Sequence, residues 1–373
     1  VIYQVFHLAN TYMVGLVGLA EFVPAVLAAL YSGHYIDRHN KKNILVWAYA
    51  FYFLCGITLA IISLTQLGLN VQLKVSIILT VVFCTGIIRS FAGPSANSMI
   101  PAIVPKINLP KAISYNSSTW LISSITGHAF GGLLIAGFGI SNAYVVTAVS
   151  ILIAILFALK LKPKPPSLTN TKEDVFTSIK QGFSYVYNNK NLLGVISLDL
   201  FAVLFGGAVA FIPEVAEKIL RTGPIGYGFL NAAMDLGSLV SILILLWFPM
   251  KKKQGLKMIL SVAGFGICIV AFGFAKVYWL SFIALAIAGF FDGVSVVIRG
   301  TIAQLQTPDE LRGRVASINL IFINSSNELG QFESGITSKY MGTIPAIIFG
   351  GVMSIGVVVF SWFKFPSLRK MKY

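Results

Sequence analysis

Most of this chain is written in apolar runs of about twenty residues, and that repeat limits its fold more than any other feature. A run of that length crosses the ~30 Å hydrocarbon core as an α-helix. Inside lipid a helix bonds every backbone N–H and C=O within its own segment, which an open strand cannot do. The runs fall at 12–34, 43–65, 75–99, 111–138, 142–160, 191–213, 225–248, 257–275, 277–303, 314–337 and 342–363. They predict eleven complete spans. The strands of a membrane barrel would instead alternate over about ten residues. The opening VIYQVFHLAN is too short to span, so it reads as the end of a helix whose start is missing.

Composition agrees. Only 11% of the 373 residues are charged and 56% are hydrophobic, whereas soluble domains carry about 25% charged residues. Cys55, Cys84 and Cys268 sit inside apolar runs without CxxC spacing, and neither a disulfide framework nor a metal site is expected. The chain has no GxxxxGK[ST] loop, which excludes a pump fuelled by its own ATP hydrolysis. No hydrolytic constellation or cofactor motif stands out, and no enzyme is expected.

Basic residues set the orientation. With the loop around Asp37 placed in the cytoplasm, cytoplasmic segments hold 21 Lys and Arg and the other side holds 5. Both termini are then cytoplasmic. The net charge of +15 is a topology signal beside anionic lipid and not a nucleic-acid footprint. The longest connection, from Lys160 to Lys190, starts Pro-rich and continues as EDVFTSIKQGFSYVY. Its Val175, Ile179, Phe183 and Val186 share one face, which predicts an amphipathic helix along the inner membrane surface. The expected organisation is a first bundle over 1–160, a linker over 161–190 and a second six-helix bundle over 191–373. IIRS then AISYN in the first half echo VIRG then VASIN in the second, at offsets of 210 and 203 residues. Such an echo suits a transporter built from repeats.

An ionisable side chain in hydrocarbon costs at least ~2.5 kcal/mol by insertion scales, so it faces a partner or a wet cavity. The candidates are Glu21, Arg89, His128, Asp199, Asp235, Asp292, Arg299, Glu328 and Glu333. Glu21 lies midway along its span, three residues before Pro24, and is read as facing a central cavity. Arg89 either tethers helices or attracts an anion or an acidic partner. Asp292 and Arg299, seven residues apart, each reach toward another helix. NSSNELGQFESG places Glu328 in the most polar patch of any full span, so it lines an interior path or a bundle contact. Asp199 and Asp235 are open to proton uptake, and GSLVS after Asp235 allows close helix contact. His128, among Gly127, Gly131 and Gly132, is either a packed residue or a titrating one.

Between the first two full spans stands GHYIDRHNKK. With twelve helices in two halves, this turn resembles the signature of the major facilitator superfamily: a glycine, three residues, aspartate, arginine, then basic residues. Here those positions are Gly33, Asp37, Arg38, Lys41 and Lys42. The resemblance implies that Gly33 permits tight helix contact and that Asp37 pairs with neighbouring charges to lock the inner gate. The matching turn FPMKKKQGLK keeps Lys251 to Lys253 but lacks both glycine and aspartate. RSFAGPSANSMIPAIVP, TPDELRGRVASIN and NELGQFESG are similar to the branch of enterobactin exporters and macrolide-type efflux proteins, the transmembrane secretion effectors. In that branch a glycine-proline precedes a paired glycine on the fifth span. Here His128 stands in place of the proline. Family members start with a further arm and helix, which implies that roughly 30–45 residues precede Val1.

The resemblance implies an inner-membrane, multi-pass, monomeric transporter without cofactors, working by alternating access. Protons bound at carboxylates such as Glu21, Asp199 or Glu328 would drive export of an amphipathic organic molecule, a siderophore or drug. An importer of an anionic metabolite recruited by Arg89 and Arg299, a lipid flippase and a non-transporting receptor or scaffold are the other readings.

Overall fold

Asparagines open four of the helices. The side chains of Asn10, Asn40, Asn70 and Asn189 accept hydrogen bonds from the backbone N–H groups of Met13, Lys42, Gln72 and Leu192, respectively. Each satisfies a donor that the first helical turn leaves without an internal partner. The computed structural model describes residues 1–64, 68–161, 175–248, 250, 253–308 and 311–370. Its helices are α1 (Ile2–Leu8), α2 (Thr11–Arg38), α3 (Lys41–Ile62), α4 (Val71–Ile103), α5 (Leu109–Lys160), α6 (Val175–Asn188), α7 (Lys190–Gly206), α8 (Ile212–Glu214), α9 (Gly223–Trp247), α10 (Gln254–Phe274), α11 (Tyr278–Gln306), α12 (Arg312–Met341), α13 (Thr343–Lys364) and α14 (Pro366–Lys370).

Among the described residues, nine helices are long and apolar enough to cross a membrane. Two physical details reconcile nine with eleven. The long α5 is two spans, because Gly139 at φ 82, ψ 167 breaks it into a first arm and a second arm. That backbone lies in the left-handed half of conformational space, where only glycine is at ease. The other missing span is α12, whose stretch NSSNELGQFES lowers its hydropathy although the helix runs 30 residues.

Helices α2 to α5 pack on one another as a first bundle, and α7 with α9 to α13 as a second. The first is centred on Val14, Val17, Leu59, Ile78 and Val81. The second has a core of Phe211, Leu230, Phe265, Phe272 and Leu285, with another around Leu198, Met258, Ile298 and Ile302. Lipid tails are as apolar as leucine, so contact between helices depends on close packing and hydrogen bonds. Around GSLVS, Ser238 Oγ donates to Gly289 O at 2.9 Å, and Gly237 lies against the Ala286 carbonyl.

The bundles meet along two seams, α2 against α12 and α5 against α9. The loops rich in lysine and arginine share one face of the protein, called here the basic face. On the opposite face, Tyr3 Oη donates to Glu217 and Thr11 Oγ1 donates to Glu214, which ties the first bundle to the segment after α7. Lys339 lies 4.4 Å from the Tyr12 ring centroid across the α2–α12 seam. Deeper in each seam the backbones nearly touch. A Cβ built on Gly15 would sit 2.8 Å from Gly335 Cα, and one on Gly132 would sit 2.9 Å from Gly228 Cα.

The linker forms helix α6 over Val175–Asn188, where the sequence places a helix. Residues 162–174 lie outside the described residues, as do the side chains of Val175 and Ile179. From Gln181 on, α6 packs on the second bundle. Val186 is buried with Leu192, Ile196, Val315 and Ile318, while Tyr185 Oη donates to Gln306 O at 2.5 Å. Phe183, expected on the buried face, is half exposed and stacks on Tyr187. The contact face runs through Gly182, Tyr185 and Val186, because the Arg314 backbone comes within 3.0 Å of a Cβ built on Gly182.

Replacing Gly15 by leucine should wedge α2 from α12, lower the melting temperature and raise labelling of a cysteine at Thr11 from the opposite face. Gly33→Ala should leave melting unchanged, since nothing described lies within 4 Å of a Cβ there. Thermal unfolding of the two variants side by side checks this contrast.

Candidate functional site in the bundle seams

Glu21 and Arg89 are brought together by a glycine. A Cβ on Gly86 would lie 2.5 Å from Glu21 O, so α4 can approach α2 only because that position is bare. Arg89, three residues on, falls on the same side of α4. Its Nη1 donates to Glu21 Oε1 at 2.8 Å and to Glu328 Oε1 at 2.5 Å, and its Nη2 donates to Asn324 Oδ1 at 3.3 Å. Glu21 belongs to the first bundle, and Glu328 and Asn324 to the second. One guanidinium thus bridges the α2–α12 seam near mid-span. The Glu328 side chain is 10% exposed, against 42% for Arg89 and 31% for Glu21. The polar patch of α12 is therefore a bundle contact, with Arg89 open to the space beside it.

The α5–α9 seam carries a second cluster. Asp235 Oδ2 accepts from Ser124 Oγ at 2.7 Å and meets His128 Nδ1 at 2.8 Å. Asp292 on α11 is near enough to interact electrostatically with Asp235. Of the glycines around His128, Gly132 makes the close packing with Gly228, whereas Gly127 and Gly131 have open space beside them.

Asp199 and Arg299 form an ion pair inside the second bundle, with both side chains 5% exposed. Ser295 Oγ donates to Asp199 Oδ1 at 3.0 Å. Arg299 thus reaches another helix, α7, as its distance from Asp292 suggested. Glu333, half-buried on α12, is not among the groups these clusters join.

At the charged turn, His39 stacks on Tyr35 and its Nδ1 lies 2.8 Å from Tyr35 O. Lys42 Nζ donates to Leu159 O at 2.7 Å, which ties α3 to the end of α5. Arg38 is exposed and Lys41 half-exposed, while the side chain of Asp37 lies outside the described residues. Gly33 does not make the tight helix contact that the resemblance implies. It is exposed, with open space around it among the described residues. In this conformation the bundles touch near the opposite face and mid-span, away from the end of α2 where Gly33 sits.

Comparison with known proteins agrees with this architecture. The family model described as transmembrane secretion effector matches residues 6–372. The chain belongs to that family. Enterobactin exporters from Shigella boydii serotype 4 and Escherichia coli O81 are 26% and 27% identical over 313 residues, 82% of this chain and 72% of theirs. Among solved structures, a D-xylose-proton symporter superposes with a TM-score of 0.76 at 15% identity, covering 97% of this chain and 90% of that one. The nucleoside transporter NupG gives 0.74 at 13% identity, covering 98% and 94%. These likenesses show the major facilitator fold. As a secretion effector of that superfamily, the protein is a membrane transporter and not an enzyme.

Sequence reasoning gathered the charged members of both clusters but missed what positions them. Ser124 and Ser295 are ordinary polar residues in apolar helices, and only their partners single them out, whereas Asn324 already belongs to the polar patch around Glu328. Glu214 and Glu217 were passed over because EVAEK follows a span. The paired small residues of GLVG in α2 were the available signal for the α2–α12 contact.

Removing Asp199 would leave a buried guanidinium without its counter-charge, a loss of about 3–5 kcal/mol for buried pairs. Asp199→Ala should therefore unfold at a clearly lower temperature in detergent. A double variant with leucine at Asp199 and methionine at Arg299 should recover much of that loss.

Proposed function

We propose that this transporter exports a small amphipathic organic molecule of the siderophore type, exchanging it for protons by alternating access across the inner membrane. The observation that carries the coupling is charge counting at Arg89. One guanidinium faces two carboxylates, Glu21 and Glu328. The cluster is neutral only when it holds one proton, and neutrality is strongly favoured in a low-dielectric setting. The Asp199–Arg299 pair is neutral without a proton, so it supports structure and leaves the coupling role to the shared cluster. Because Glu21 and Glu328 sit on different bundles, protonating one changes the attraction between the bundles. A proton therefore has the differential effect on two states that coupling requires.

The anion-importer reading loses its basis, since both intramembrane arginines already face carboxylates. Export and the substrate class rest on the relatives named as enterobactin exporters. Closure at the opposite face, through Tyr3–Glu217, Thr11–Glu214 and the two glycine contacts, supports a conformation open toward the basic face. Exposed Ile113, Tyr115 and Trp120 at the basic-face end of α5 agree. By the positive-inside rule that face is cytoplasmic.

Proteoliposomes loaded with enterobactin test this. The unaltered protein should show counterflow without a gradient and net accumulation when a pH gradient is applied. Glu328→Gln should retain counterflow and lose gradient-driven accumulation by at least about tenfold. Accumulation of every candidate substrate that ignores the gradient would sink the antiport part. Asp37→Ala should insert normally and transport more slowly, and unchanged rates would retire the proposed gate at the charged turn.

A further inference from the structure

The two seams share a plan. In the α2–α12 seam, Gly335 touches Gly15, and Glu328 meets its cation seven residues deeper along α12. In the α5–α9 seam, Gly228 touches Gly132, and Asp235 meets His128 seven residues deeper along α9. Seven residues are two helical turns, about 10 Å. Each seam thus pairs a glycine contact with a carboxylate and a nitrogen base facing it from the other bundle. The first base is an arginine, which stays charged. The second is a histidine, which does not.

We propose that His128 and Asp235 form a proton-operated clasp on the α5–α9 seam, a second proton site separate from the Arg89 cluster. A carboxylate only accepts hydrogen bonds, so the Nδ1 facing Asp235 carries the hydrogen, and an added proton goes to Nε2. The His128 side chain is 46% exposed, which leaves it reachable, while Asp235 is 23% exposed and held by Ser124 as well. Protonation turns a hydrogen bond from a neutral imidazole to a carboxylate into an ion pair of opposite charges between the bundles. Because the partners lie on different bundles, the gain exists only while the seam is closed, and low pH favours closure.

The surrounding groups keep that sign. From α9, Tyr227 and Asp235 are the titratable side chains, and Asp292 lies behind on α11. On α3, packed on the other flank of α5, the mid-membrane groups are Tyr49, Tyr52 and Cys55, all neutral near pH 7. On α4, Arg89 is engaged by its two glutamates. The clasp rests on the alternating-access reading for its meaning but on neither the substrate nor the direction of transport.

Spin labels on cysteines replacing Phe138 and Arg221, with the three native cysteines changed to serine, report seam closure without any substrate. Both positions are exposed at the opposite face. Between about pH 8 and pH 5.5, which brackets the histidine range, the ratio of short to long distances should rise about three- to tenfold. His128→Gln keeps a hydrogen-bond donor and should remove most of the rise, as should Asp235→Asn, leaving only what the separate Arg89 cluster contributes. Glu328→Gln should keep it, although that variant loses gradient-driven transport, so the two sites separate. A distance distribution in the unaltered background that ignores pH would overturn the clasp, even if both seam variants failed to fold. A full pH response in His128→Gln would overturn it too, and loss of the response in Glu328→Gln would show that the sites are one.

Discussion

The geometry of the protein turns on a single guanidinium shared by two carboxylates inside a membrane. Arg89 could not stay in hydrocarbon alone, nor could Glu21 or Glu328. Their meeting requires α4 to lie against α2 at Gly86 and α12 to lie against α2 near Gly18, where a Cβ would come within 2.6 Å of Glu328 O. The helix packing and the charge cluster are therefore one arrangement: the glycines admit the charges, and the charges hold the glycines in register. Removing Arg89 leaves two carboxylates facing each other, and neutralising either carboxylate leaves a balanced pair, so the contact is both adhesive and sensitive to protonation.

The sequence disclosed the fold well, for a physical reason. Length and hydropathy are local properties, and lipid leaves only one way to use them. Even the hidden spans were legible: the break between 138 and 142 appeared as a gap in the apolar run, and NSSNELGQFESG remained a span despite its polarity. The site was legible in a different way. Expense alone picked out Glu21, Arg89, His128, Asp199, Asp235, Asp292, Arg299, Glu328 and Glu333, and all but Asp292 and Glu333 have a hydrogen-bonded or ion-pair partner among the described residues. Which partner each takes was not legible. Partners lie between 68 and 239 residues away, and only the packing of the helices decides who meets whom.

Resemblance and geometry also carry different information. The signature turn located a helix junction correctly, yet Gly33 stands clear of its neighbours. A motif that acts by switching partners is satisfied in one state and idle in another. The linker helix shows the converse. Its periodicity signals a helix, but its contact with the second bundle, through Gly182 against the Arg314 backbone and through Val186, is set by packing with residues far away in the chain.

Comparing the two seams separates adhesion from control. Glycine contacts are the same whatever the pH or the gradient, so they can make a closed state compact but cannot bias it toward one condition. Control needs a term whose size changes between states, and only the charged layer two turns deeper supplies one. In the α2–α12 seam the surplus carboxylate beside Arg89 provides it, and in the α5–α9 seam the base itself does. Under the mechanism proposed above, each seam carries a layer whose attraction changes as its own proton arrives: a proton on Glu328 loosens its pairing with Arg89, and one on His128 tightens its pairing with Asp235. With a single sensitive seam, the other would have to follow passively through the rigid bundles. Glu328 and Asp235 stand seven residues beyond their glycines on α12 and α9, so the alternating access proposed above would act on both charged layers at the same depth.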